Sequence, residues 1–196
     1  MFFKRKSVYD MIVAGLGNPG QMYENTRHNV GFRVLDILAE QHNCKIIKQK
    51  NKALFGEATL KDNRVLLLKP QTFMNLSGEA ITLFAKYYNI PPEKILIIFD
   101  DISLPTGKLR IRLSGSDGGH NGLKSVQLYL GQNYPRIKIG VGEKPHPDYD
   151  LSKWVLSKFS ESDEKILKPS IKLAAEAAEK MVTHGYDEAI KLIANQ

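Results

Sequence analysis

Ile95-Leu96-Ile97-Ile98-Phe99-Asp100-Asp101 is a run of five apolar residues closed by two carboxylates. It has no polar alternation and is too short for a core helix, so it reads as a central strand covered on both faces. Working outward, residues 11–16 form a second apolar run closed by glycines. Residues 53–60 and 64–69 flank Lys61-Asp62-Asn63 and read as an antiparallel hairpin. Two later segments alternate. Leu109, Ile111 and Leu113 point one way and Lys108, Arg110 and Arg112 the other, and Ile137, Ile139 and Val141 oppose Arg136 and Lys138.

Helical spacing appears between these strands. Val30, Val34, Leu35 and Leu38 share a face behind Asn29, a possible cap. Ala80, Ile81, Phe84, Tyr87 and Tyr88 follow Ser77 and stop before Pro91-Pro92. In residues 161–184 the buried stripe is Ile171, Ala174, Ala175, Ala178 and Met181, with Pro169 expected to bend or split the helix and Gly185 to end it. The pattern predicts an α/β fold: a single-domain twisted mixed β-sheet with helices on both faces. Residues 11–196 form that domain, and residues 1–10 are expected to be a flexible N-terminal leader without the apolar stretch of a signal peptide.

The chain has 196 residues, 42% of them hydrophobic, enough for one substantial core. No apolar run approaches the roughly 20 residues of a membrane-spanning helix. The single Cys44 excludes an intramolecular disulfide and fits a reducing, cytoplasmic setting. The formal charge of +7 is unevenly spread: residues 102–142 carry six basic residues against Asp117 alone, a net of +5. That is a footprint for a polyanion.

Polar motifs stand at the ends of the apolar runs: Asn18-Pro19-Gly20, then Tyr23 and Thr26-Arg27-His28-Asn29; Thr72-Phe73-Met74-Asn75-Leu76-Ser77-Gly78; and Gly118-Gly119-His120-Asn121-Gly122-Leu123. Strands would deliver His28, Asp100, Asn18, Asn75 and Asn121 to one rim of the sheet. An imidazole titrates near neutrality and can take a proton from water, and a carboxylate at a strand end can fix its tautomer. Asp101 could serve in place of Asp100, since alternation lets only one of them face the site. Each residue also has a plainer explanation. Asn75 would serve as a helix cap, Asn121 would tolerate a left-handed turn, Asn18 would make an Asx turn, and His120 would bond its own loop or touch RNA. Arg112 and Lys138 would converge on phosphate beside the rim if their strands pair, or simply be solvated. Trp154 and Val155 read either as part of a lid or as core anchors. Gly15, Gly17 and Gly20 satisfy G-x-G-x-x-G, but Pro19 interrupts the loop and no helix opens at Gly20. Metal-binding H-E-x-x-H and C-x-x-C patterns and the G-x-S-x-G elbow are absent from the sequence, so no metal and no cofactor are expected.

Taken together, these motifs resemble bacterial-type peptidyl-tRNA hydrolase, in the forms G-L-G-N-P-G, T-R-H-N-V-G-F, T-F-M-N-L-S-G and G-G-H-N-G-L, and the similarity runs from Met11 to the C-terminal helices. The resemblance implies ester hydrolysis on peptidyl-tRNA by a monomer, with His28 as general base supported by Asp100. It assigns Asn75 and Asn121 to the ester and water, and Asn18 to telling N-blocked from free aminoacyl groups. Tyr23 and Phe73 would shape the site for the tRNA 3′ end, and Arg112 and Lys138 would meet acceptor-stem phosphate. The family carries a lysine and an arginine at these two positions, and here the two types are exchanged. A non-catalytic RNA-binding protein on the same fold and a small-molecule amidase or peptidase are the rival readings.

Overall fold

The computed structural model describes residues 7–194. The strands are β1 (Met11–Gly15), β2 (Lys48–Lys50), β3 (Ala53–Leu60), β4 (Asn63–Pro70), β5 (Ile95–Asp101), β6 (Leu109–Arg112) and β7 (Arg136–Gly140). The helices are α1 (Val30–Gln41), α2 (Ser77–Tyr88), α3 (Asn121–Leu130), α4 (Leu151–Val155), α5 (Glu161–His184) and α6 (Tyr186–Ile193). One mixed sheet runs β2-β3-β4-β1-β5-β7-β6. Its middle, β4-β1-β5-β7, is parallel, and the antiparallel β2–β3 pair and β6 flank it.

The alternation within β5 divides the core. Leu96 and Ile98 join the cluster with α1 and α5, while Ile95, Ile97 and Phe99 join the one with α2 and α3. Helices therefore cover both faces, as the unbroken apolar run requires. Because β1, β5 and β7 are parallel, their carboxyl ends open on one rim, where α/β sheets bind ligands. α1 sits tight against that rim. A Cβ on Gly31 would lie 2.4 Å from the Ile98 carbonyl oxygen, so only glycine lets the helix start this close to β1 and β5.

Several expectations are corrected. Residues 1–6 of the expected leader lie outside the described residues. Within 7–10, Tyr9 is buried and donates its hydroxyl to Glu57 at 2.7 Å, so packing begins before Met11. Of the two outcomes expected at Pro169, bending or splitting, splitting does not occur: α5 runs through it as one helix. Leu113 is exposed because β6 ends at Arg112. Arg136, one of the six cations of the basic segment read as a polyanion footprint, is only 1% exposed because β7 is an interior strand. Its guanidinium donates to the carbonyls of Ser116 and Gln132, so it holds the loop before His120 rather than facing a polyanion.

Candidate active site

A cavity of about 720 Å³ lies over the rim. The short 3₁₀ turn Arg27–Asn29, just ahead of α1, delivers His28 to it. His28 Nδ1 lies 2.9 and 2.8 Å from the two Asp100 carboxylate oxygens. His120 Nε2 lies 2.9 Å from Asp100 Oδ1, and the two imidazole centroids are 4.9 Å apart. One buried carboxylate thus accepts from two histidines.

The hydrogen bonds assign the tautomers. The Leu123 N–H donates to His120 Nδ1 at 3.2 Å, so the His120 proton sits on Nε2 and points at Asp100. His28 must likewise present Nδ1–H to the carboxylate, which leaves Nε2 with its lone pair. His120 has no ring nitrogen left over. It is therefore not placed to contact RNA through a polar atom, and it caps α3 instead. That cap joins a residue to the N–H three positions on, a spacing visible in the sequence but read there only as a loop bond.

Burial alone would raise the Asp100 carboxyl. The attraction and hydrogen bonds of the two histidines outweigh it and hold the group well below the usual carboxylate range. The ligand atoms of His28, Asp100 and His120 lie within 4.8 Å of one another, a spacing a metal ion can use. The protons fit that use poorly. With Nδ1 engaged by Leu123, His120 could offer Nε2 to a metal only as an imidazolate or by giving up its cap.

The asparagines are placed differently from the simple caps considered above. Asn29 stands at the α1 cap position but makes no cap bond; its amide pairs with the backbone N–H and carbonyl of Asn18, both at 2.9 Å. This residue was missed as a site component, because a cap fully accounted for it in sequence. Asn18 Oδ1 accepts from the Met74 N–H at 2.8 Å, which orients the amide and leaves its NH₂ as the donor end. Asn75 caps nothing, since Leu76 holds the α2 cap position. Asn121 is the first residue of α3, and the positive φ angles belong to Gly118 and Gly119. Asn18, Asn75 and Asn121 all line the cavity. Tyr23 and Phe73 do too, edge to face with centroids 6.4 Å apart.

Asp101 lines the cavity beside Asp100, so alternation did not exclude it; the pocket lies over the strand end rather than on one face. It is committed elsewhere, to the Lys138 ammonium at 2.9 Å and to Ser103. Lys138 reaches the cavity, but Arg112 does not. The register sets Arg112 opposite Arg136 and Arg110 opposite Lys138, so Arg112 and Lys138 are diagonal neighbours.

The family model for peptidyl-tRNA hydrolase matches residues 12–196. The chain belongs to the peptidyl-tRNA hydrolase family. A peptidyl-tRNA hydrolase of Carboxydothermus hydrogenoformans is 48% identical over 180 residues, covering 91% of this chain and 95% of its own. One from Clostridium botulinum (strain Eklund 17B / Type B) is 46% identical over 180 residues, covering 91% and 93%. The crystal structure of peptidyl-tRNA hydrolase from Acinetobacter baumannii superposes with a TM-score of 0.89 at 33% identity, over 93% of each chain.

The depressed Asp100 carboxyl has a signed consequence for stability. Its folded value lies below its unfolded one, so its contribution is full above the ordinary carboxylate range and is lost as pH falls toward the folded value. Wild type should exceed Asp100→Asn by roughly 1–3 kcal/mol at pH 7. The gap should narrow below about pH 4. Urea midpoints at several pH values measure it, and a gap that widens in acid contradicts the assignment.

Proposed function

We propose that the protein hydrolyses the ester joining a peptide to the terminal ribose of tRNA, with His28 Nε2 as general base on water. The observation that carries this reading is the single bare imidazole nitrogen, backed by a buried carboxylate, in a cavity ringed by neutral amides. Water loses a proton to Nε2 as its oxygen attacks the ester carbonyl carbon. The bond from that carbon to the ribose oxygen then breaks, and the proton passes to the departing ribose. Asp100 stabilises the imidazolium formed on the way. Asn75 and Asn121 supply amides for the developing oxyanion and for the water. Side chains and water suffice, so no metal or cofactor is required.

The donor end of Asn18 supports selection for N-blocked substrate. An NH₂ group can donate to the carbonyl of an N-acyl group, but it offers nothing to a free α-ammonium, which would be desolvated without an acceptor. Tyr23 and Phe73 provide aromatic faces for the unpaired 3′ end of tRNA. Lys138 and Arg112 answer to acceptor-stem phosphate, with Lys138 exchanging Asp101 for the phosphate. An RNA-binding module without chemistry would have no use for the bare nitrogen over Asp100, and a small-molecule amidase none for the basic segment.

A monomer is part of the same reading. Among the described residues no helix is long and apolar enough to cross a membrane, and action in the cytoplasm on tRNA is part of the same reading.

His28→Ala should lower release of tRNA from N-acetyl-aminoacyl-tRNA by about 10²–10⁴-fold. Binding of tRNA should stay close to wild type in the same preparation. Wild-type turnover in the variant would refute the general-base assignment. Asn18→Ala should compress the ratio of kcat/KM for acetylated over free aminoacyl-tRNA more than it lowers kcat on the acetylated substrate. If both rates fall together with the ratio intact, Asn18 positions the Met74 turn and does not discriminate.

A further inference from the structure

Arg27, the residue before the proposed base, is a cation that the chemistry above leaves unused, and it is only 3% exposed. Its Nη1 donates to Ser157 Oγ at 2.7 Å and to the Lys158 carbonyl at 2.6 Å, and Nη2 reaches Asp163 at 3.4 Å. The guanidinium lies 3.6 Å from the Trp154 ring centroid and 4.7 Å from that of Phe159. The backbone adds an Arg27 N–H bond to the Ser157 carbonyl at 3.1 Å and a bridge between Thr26 and Lys158. All of these partners fall in one stretch, residues 154–163, around the end of α4.

That stretch adjoins a wall of the cavity. Leu151, Ser152, Val155 and Leu156 line it, while Trp154 turns to Arg27 and donates Nε1–H to the Gly142 carbonyl at 3.0 Å. Of the two residues weighed for a lid, Trp154 is thus the anchor and Val155 the lining. α4 has only five residues, too few to hold a position by its own hydrogen bonds. Its place relative to His28 depends on what ties it down, and the guanidinium one residue from His28 supplies the side-chain ties to Ser157, Lys158 and Asp163. A planar fork that bonds at its edge and stacks on its face is a stiff link, which lysine cannot reproduce.

We propose that Arg27 is a positioning residue that holds the α4 wall at a set distance from His28 and so determines which acyl groups the cavity accepts. The wall presents Leu151, Val155 and Leu156, so the group it gauges is an apolar side chain on the acyl portion next to the ester. The inference rests on the hydrolase reading for its substrate, but the clamp can be observed without turnover. Trp154 is the only tryptophan, so its emission reports the link directly.

The experiment compares wild type, Arg27→Lys and the milder Ser157→Ala, which removes one bond to the guanidinium and protects against a folding failure of the first. In Arg27→Lys, Trp154 emission should shift and amides in 151–159 should exchange faster. KM for N-acetyl-phenylalanyl-tRNA should rise about tenfold, several times more than KM for N-acetyl-glycyl-tRNA. The pH profile of kcat/KM should keep its shape, and Ser157→Ala should move the same quantities in the same direction by less. An equal loss on both substrates with KM unchanged, or unaltered Trp154 emission and exchange, overturns the proposal. If wild type releases no tRNA from either substrate, the hydrolase reading fails, and emission and exchange alone then decide the clamp.

Discussion

A carboxylate buried at the end of an apolar strand is the constraint from which the site follows. β5 is covered on both faces, and taking the Asp100 charge out of water costs several kcal/mol unless hydrogen bonds replace what water supplied. Two imidazole N–H groups supply them, from opposite sides of the sheet. The turn ahead of α1 and the loop ahead of α3 must therefore meet at one point. Gly31 lets α1 come close enough, and Arg136 holds the second loop by the Ser116 carbonyl.

The same arrangement divides two chemically identical rings into different roles. The Leu123 N–H takes the second nitrogen of His120, while His28 keeps its own. Around that nitrogen Asp101 is answered by Lys138, Asp117 accepts from the Gly119 N–H, and Asn18 has its oxygen turned inward to Met74. What remains facing the cavity is largely neutral donors and aromatic faces, suited to a neutral ester whose reaction develops negative charge on oxygen.

Much of this was legible because periodicity and motif order lie along the chain. The unbroken apolar run of 95–99 gave the two-sided sheet, and the polar motifs at strand ends gave His28, Asp100 and the three asparagines of the cavity. What escaped depends on the register between distant segments. Arg136 and Lys138 alternate alike on β7, yet one is buried and the other paired, because β7 is an inner strand whose neighbours the sequence does not name. Asn29 looked like a cap because its second partner, the Asn18 backbone, comes near only after the loop folds. Arg27 looked like part of a polar motif because its stacking partners lie more than a hundred residues away.

The central claim is that Asp100 fixes opposite tautomers on the two histidines, and side-chain ¹H–¹⁵N correlation spectra of the imidazoles test it most directly. At a pH where both rings are neutral, His28 should carry its proton on Nδ1 with Nε2 bare, and His120 should carry its proton on Nε2. A proton on Nε2 of His28 would contradict the account, since no base would then face the cavity.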